Sequence, residues 1–200
     1  GTYAGAISIN AAAGAGINNY NITYVAGNLT VNKAALIVTA VSDGKFVSQT
    51  DLAGSATNCG GVACAGGYAG AMYSGFVNGD SVAGGALGSS ALVITRSNAT
   101  TNTSGLYTGV LVPNGLNPQN YTVQYVAGNY IIAPAEQLLV KMGNNTSTYG
   151  TAPSYGSVTA AYLKSDGTII SGVPVSVSGS SISMNDGLDR KSTRLNSSHT

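Results

Sequence analysis

Charge is what this sequence has least of: Asp, Glu, Lys and Arg make up 8% of 200 residues, against roughly 25% in an ordinary globular chain. Tryptophan is absent, phenylalanine occurs twice and histidine once. Outside residues 189–200 the carboxylates Asp43, Asp51, Asp80, Glu136, Asp166 and Asp186 are scattered, with no close cluster in the sequence. General acid–base and metal chemistry need such groups brought together, and a nucleophilic serine needs a base beside it. Their scarcity argues against an enzyme and implies no cofactor and no metal ligand set. Basic segments interleaved with aromatics are also missing, which argues against a nucleic-acid partner. No apolar run approaches the roughly 18 residues of a membrane helix, and no basic leader precedes an apolar core near the first residue.

Glycine (28 residues) and tyrosine (12) are plentiful. Short Val/Ile/Leu/Tyr runs separated by Gly/Asn/Ser clusters predict an all-β chain. One stretch organises the rest. Asn19-Tyr-Asn-Ile-Thr-Tyr-Val-Ala-Gly-Asn28 returns as Asn120-Tyr-Thr-Val-Gln-Tyr-Val-Ala-Gly-Asn129, seven of ten residues identical at a spacing of 101. A fixed period of that length indicates repeated modules of domain size. In each copy alternate residues (Tyr20, Ile22, Tyr24; Tyr121, Val123, Tyr125) would share one strand face. Ala26-Gly27 and Ala127-Gly128 read as tight turns closing a β-hairpin, with glycine supplying a positive φ. The same-face tyrosines read as module core with hydroxyls at the rim, in preference to sugar-stacking residues.

Gly1-Thr-Tyr3 and Gly105-Leu-Tyr107 each precede a short strand and lead, through loops of unequal length, into the repeated stretch. The expected organisation is a C-terminal part of one module at 1–33, a complete module at 34–134 and an N-terminal part of another at 135–188. The modules would be small sandwiches or β-grasp-like units in an extended array, within a fragment of a longer repeat protein. Strands are expected at 35–40, 90–96 and 137–141, with short strands and long loops across 48–88. A hairpin is expected around Asp166-Gly167, and Pro174 suggests an edge strand. A right-handed β-helix would show a period of roughly 20 to 30 residues, and none is visible. Residues 189–200, which hold the one histidine and three of the eight Lys/Arg, resemble a translated sequencing adapter and are expected to be disordered.

Gly1-Thr-Tyr3, residues 19–34, Ser74-Gly-Phe-Val-Asn-Gly-Asp80 and Thr148-Tyr-Gly-Thr-Ala-Pro-Ser-Tyr155 resemble the MBG-type repeat and the related YDG repeat. Such modules occur in filamentous-haemagglutinin-like bacterial adhesins exported by two-partner secretion. The resemblance implies an extracellular or outer-surface location and a non-catalytic stalk or spacer whose partners are neighbouring modules. Alternatively, the modules themselves would bind host glycan, mucin or another cell surface. Cys59 and Cys64 are not part of the family pattern. In an exported protein two nearby cysteines usually form a disulfide, though free thiols remain the other reading. Closing so short a loop would contribute roughly 2 kcal/mol. Asn-X-Ser/Thr triplets, as at Asn28 and Asn98, are expected by chance in so Asn- and Thr-rich a chain.

Overall fold

The computed structural model of the chain describes residues 1–51, 68–143, 148–151, 157–178 and 181–184. Cys59, Cys64 and residues 189–200 lie outside these. Among the described residues the chain is all-β, with one turn of 3-10 helix at Ile17–Asn19 and no α-helix. β1 (Thr2–Ile7) pairs antiparallel with β2 (Gly27–Thr30). The centre contains β3 (Ala34–Ala40), β4 (Asp43–Phe46), β5 (Ala71–Ser74), β6 (Val93–Arg96), β7 (Gly105–Asn114), β8 (Tyr121–Val126) and β9 (Gly128–Ala133). Beyond it β10 (Gln137–Met142), β11 (Val158–Leu163) and β12 (Ile169–Ser171) form one antiparallel sheet, and β13 (Val175–Ser178) pairs with β14 (Ser181–Met184).

The centre is two sheets, ordered β5-β3-β8 and β4-β9-β7-β6. Alternation along each strand decides what faces inward. Leu36, Val38 and Tyr121 from the first sheet meet Ile94, Leu111, Tyr130 and Ile132 from the second in one apolar core. Each fully buried side chain of this size contributes about 1.5–3 kcal/mol of transfer free energy. A smaller cluster of Phe46, Ala133, Leu139 and Leu163 bridges the centre to the sheet of β10 and β11. There Lys141 Nζ lies 2.6 Å from Asp43 Oδ1.

The repeated stretch is not a hairpin. β8 pairs parallel with β3, whereas β9 pairs with β7 and, parallel, with β4. Ala127 therefore carries the chain around a corner from one sheet to the other, as Val41 and Ser42 do between β3 and β4. Sheet switching by a bend is how orthogonal packings turn their corners. The two corners nest: Ser42 Oγ accepts the Asn129 N–H at 3.0 Å. A Cβ on Gly128 would stand 2.6 Å from the Ala40 carbonyl oxygen. Close backbone approach, not a positive φ, is what requires glycine here.

Two other expectations change. Residues 20–25 form no strand in the first copy. The strand expected at 90–96 is confined to Val93–Arg96. Within 48–88 the expected short strand is present as β5, which pairs with β3, and Tyr68, Val82 and Leu87 from the adjoining loops are buried. The Asp166-Gly167 hairpin is present between β11 and β12, and Asp166 Oδ1 accepts the Thr168 N–H at 2.8 Å.

Gly128→Ala is expected to lower stability by about 1–3 kcal/mol, the cost of overpacking a tight site. Gly27→Ala should change it by less than about 0.5 kcal/mol, because its Cβ would meet only Ile7 Cβ at 3.6 Å and the Ile7 carbonyl oxygen at 3.8 Å. Denaturant unfolding of both variants checks this; equal losses would refute the corner argument.

Candidate functional site

The first and second copies share geometry down to single hydrogen bonds. Thr2↔Thr30, Tyr3↔Leu29 and Ile7↔Gly27 in β1–β2 match Leu106↔Ile131, Tyr107↔Tyr130 and Leu111↔Gly128 in β7–β9. Both ladders break their register between the second and third of these pairs. Inside each break sits a glycine at φ 65, Gly5 in one and Gly109 in the other. Asn28 Oδ1 accepts the Gly5 N–H at 3.0 Å, as Asn129 Oδ1 accepts that of Gly109 at 2.9 Å. The hydroxyl of Tyr24 accepts the Ala12 N–H at 2.7 Å, and that of Tyr125 accepts the Leu116 N–H at 2.8 Å. The repeat thus includes a bulge, an Asn that caps it and a Tyr that ties the connecting loop.

Among the described residues the first copy has no partner strand in the place of β3. Tyr20 is 75% exposed and its counterpart Tyr121 only 2%; Ile7 is 56% exposed and Leu111 is fully buried. Ile22, Leu29 and Val31 are also exposed, whereas Tyr24 is nearly as exposed as its counterpart Tyr125. β3 covers β8 in the second copy, and no described strand lies beside residues 20–25 in the first. The result is a run of exposed apolar side chains beside β2. The repeated motif, with these exposed positions in one copy and their buried counterparts in the other, is the candidate site.

The predicted site residues divide accordingly. Tyr121 is core; its hydroxyl donates to Asp80 Oδ2 at 2.6 Å and accepts the Val77 N–H at 3.2 Å. Tyr125 stands at the rim with its hydroxyl on the Leu116 backbone. Tyr20 and Tyr24 lie in the exposed run, Gly27 at its unfilled corner and Gly128 in the filled one. Asp80, one of the scattered carboxylates, serves this core as the acceptor of the Tyr121 hydroxyl.

Sequence reasoning missed a buried polar cluster. Asp51 lies 2.7 Å from Arg96 and 3.3 Å from Lys45. Arg96 also donates to Asn98 Oδ1 and to the carbonyls of Ala99 and Thr101. Its guanidinium lies 4.8 Å from the Tyr130 ring centroid. Lys45 donates to the Gln49 carbonyl at 2.8 Å. Residues 45, 51 and 96 carry no shared sequence signal, since the fold alone brings them together. Every named donor has an acceptor, so the cluster is a structural tie. Among the described residues no group of three or more His, Cys, Asp or Glu could hold a metal. No helix there is long and apolar enough to cross a membrane. No family model, curated protein or solved structure matches the chain.

Burial, reinforced by Asp51, raises the Tyr130 hydroxyl well above the ordinary 10.0, and burial raises Tyr68 and Tyr73. The hydrogen bond to Asp80 does the same for Tyr121. Above pH 10 the unfolded chain releases these protons while the folded chain keeps them. The unfolded state then binds fewer protons, so stability present at neutral pH falls as pH rises past 10. Urea midpoints at pH 8 and pH 11 should show a drop that Tyr130→Phe reduces. An unchanged midpoint would contradict these assignments.

Proposed function

We propose that the chain is a non-catalytic repeat region, a stalk or spacer, of a large bacterial surface or secreted adhesin. Its resemblance to MBG-type modules of two-partner-secreted, filamentous-haemagglutinin-like proteins motivates the family and the extracellular location. The observation that carries the reading is the recurrence of bulge, Asn cap, Tyr tie and ladder register in two copies. Repetition of a structural unit with different loops suits elements that stack, because each contacts mainly its neighbours. The bridging cluster of Phe46, Ala133, Leu139 and Leu163, with the Lys141–Asp43 ion pair, supports a junction held at a fixed angle. A fixed junction transmits length, which is the task of a spacer.

Removing residues 34–134 joins Lys33 to Ala135 and keeps the repeat in phase. In the cell-displayed protein that deletion is expected to shorten reach while ligand preference stays the same. Loss of ligand binding in the deletion variant would instead place the binding surface within this chain, on its glycan- or cell-surface-binding alternative.

A further inference from the structure

We propose that Asn78 is a site of spontaneous modification, its side chain cyclising onto the Gly79 backbone and reopening with water to an aspartyl or isoaspartyl residue. Asn-Gly is the pair open to this chemistry, because glycine has no side chain to crowd the attack. The chain contains two such pairs, Asn78-Gly79 and Asn114-Gly115, and the fold treats them differently. In the reaction the Gly79 nitrogen gives its proton to hydroxide and bonds to Asn78 Cγ. The Cγ–Nδ2 bond then breaks, ammonia leaves and a cyclic imide remains. Water adds to either carbonyl of the imide. Opening at one restores the backbone with an aspartyl side chain; opening at the other routes the backbone through the side chain as isoaspartate. Water enters and ammonia departs, so neither an oxidant nor an enzyme is needed.

Asn78 and Gly79 are the central residues of a turn, at φ 57 and φ 79. It is closed by the Asp80 N–H, which donates to the Val77 carbonyl at 3.0 Å. Positive φ at both positions is the type I′ geometry that Asn-Gly favours. Attack requires the 78–79 peptide to swing out of that geometry, and little opposes the swing: a Cβ on Gly79 would meet no atom of the described residues within 4 Å. Asn114-Gly115 is clamped instead. Asn114 lies in β7 opposite Val93, and a Cβ on Gly115 would stand 2.6 Å from the Ala91 carbonyl oxygen. The next N–H, that of Leu116, donates to the Tyr125 hydroxyl. Freeing this pair means separating β7 from β6, a costlier opening than the relaxation of one turn.

The turn at 77–80 brackets a core hydroxyl. The Val77 N–H donates to the Tyr121 hydroxyl at 3.2 Å, and that hydroxyl donates to Asp80 Oδ2 at 2.6 Å. Phe76, beside the turn, packs edge-on against the Tyr121 ring with centroids 5.5 Å apart. An isoaspartyl residue inserts an extra carbon into the backbone between the two partners of Tyr121, so both hydrogen bonds cannot keep their geometry. An aspartyl residue leaves the backbone length unchanged and, like asparagine, tolerates positive φ. The modification therefore reaches the core through Tyr121, chiefly in its isoaspartyl form. The inference does not depend on the stalk reading.

The test is incubation of the full chain at mildly alkaline pH, folded and in parallel unfolded in urea, with peptide mass spectrometry at both Asn-Gly pairs. Unfolded, the two pairs should react at similar rates. Folded, Asn78 should react at least about tenfold faster than Asn114, since only one of them is held by a strand ladder. The two products, separated by chromatography, are then unfolded in urea. The isoaspartyl form should have a lower midpoint than the parent chain, and the aspartyl form should match the Asn78→Asp variant and stay close to the parent. No reaction at Asn78 in the folded chain, equal or faster reaction at Asn114, or an isoaspartyl form as stable as the parent would each overturn the proposal.

Discussion

The nesting of two sheet-switching corners is the constraint on which the rest of the centre depends. β3 and β4 turn one corner, β8 and β9 another, and each pair lies parallel to the other on both sides of the turn. The contact is backbone against backbone: Gly128 on Ala40, Asn129 on Ser42. Once seated, it aligns Leu36 and Val38 with Tyr121 in one sheet and positions Tyr130 and Ile132 in the other, so the core closes between them. Without β3 and β4 the same motif keeps its bulge, its Asn cap and its Tyr tie but forms no strand at residues 20–25. Local sequence builds the scaffold of the repeat, and a partner strand completes it. That is the context dependence expected of β structure, where pairing rather than intrinsic preference holds the extended chain.

Much of the all-β character was legible. Alternation marked the inward Tyr121 and Val123, and the Asp166-Gly167 turn marked its hairpin. The corner was not legible, because Ala-Gly between two apolar runs has the composition of a hairpin turn. Only the approach of Ala40, 88 residues earlier, gives Gly128 its meaning. β4 was equally hidden: Asp43-Gly-Lys-Phe46 has no alternation, since Gly44, Lys45 and Phe46 are all buried. The exposed run could be anticipated only in part. Repetition showed that 1–33 resembled the end of a module, but exposure of Tyr20 depends on which strand lies beside it.

In a chain with so few charges, the interior ones are conspicuous. Lys45 and Arg96 are buried around Asp51, and the Tyr130 ring packs beneath the guanidinium. Desolvation offsets much of the attraction in such a group, so its net contribution to stability is small while loss of one partner is costly. Its geometric effect is clearer. Arg96 ties β6 to the turn at residues 98–101 and to the chain at Asp51, beside the edge strand β4.

Amide hydrogen exchange tests the central claim most directly, because the two copies serve as each other's control. In dilute, monomeric chain the amides of residues 21–25 should exchange freely, while those of residues 122–126 that bond to β3 should be protected by opening of the folded centre. The two stretches end in the same Tyr-Val and share one alternation of apolar and polar residues, so a large difference in protection reports the partner strand. Equal, strong protection in both copies of the monomer would contradict the account, since the motif would then be a strand by itself and the corner would be incidental.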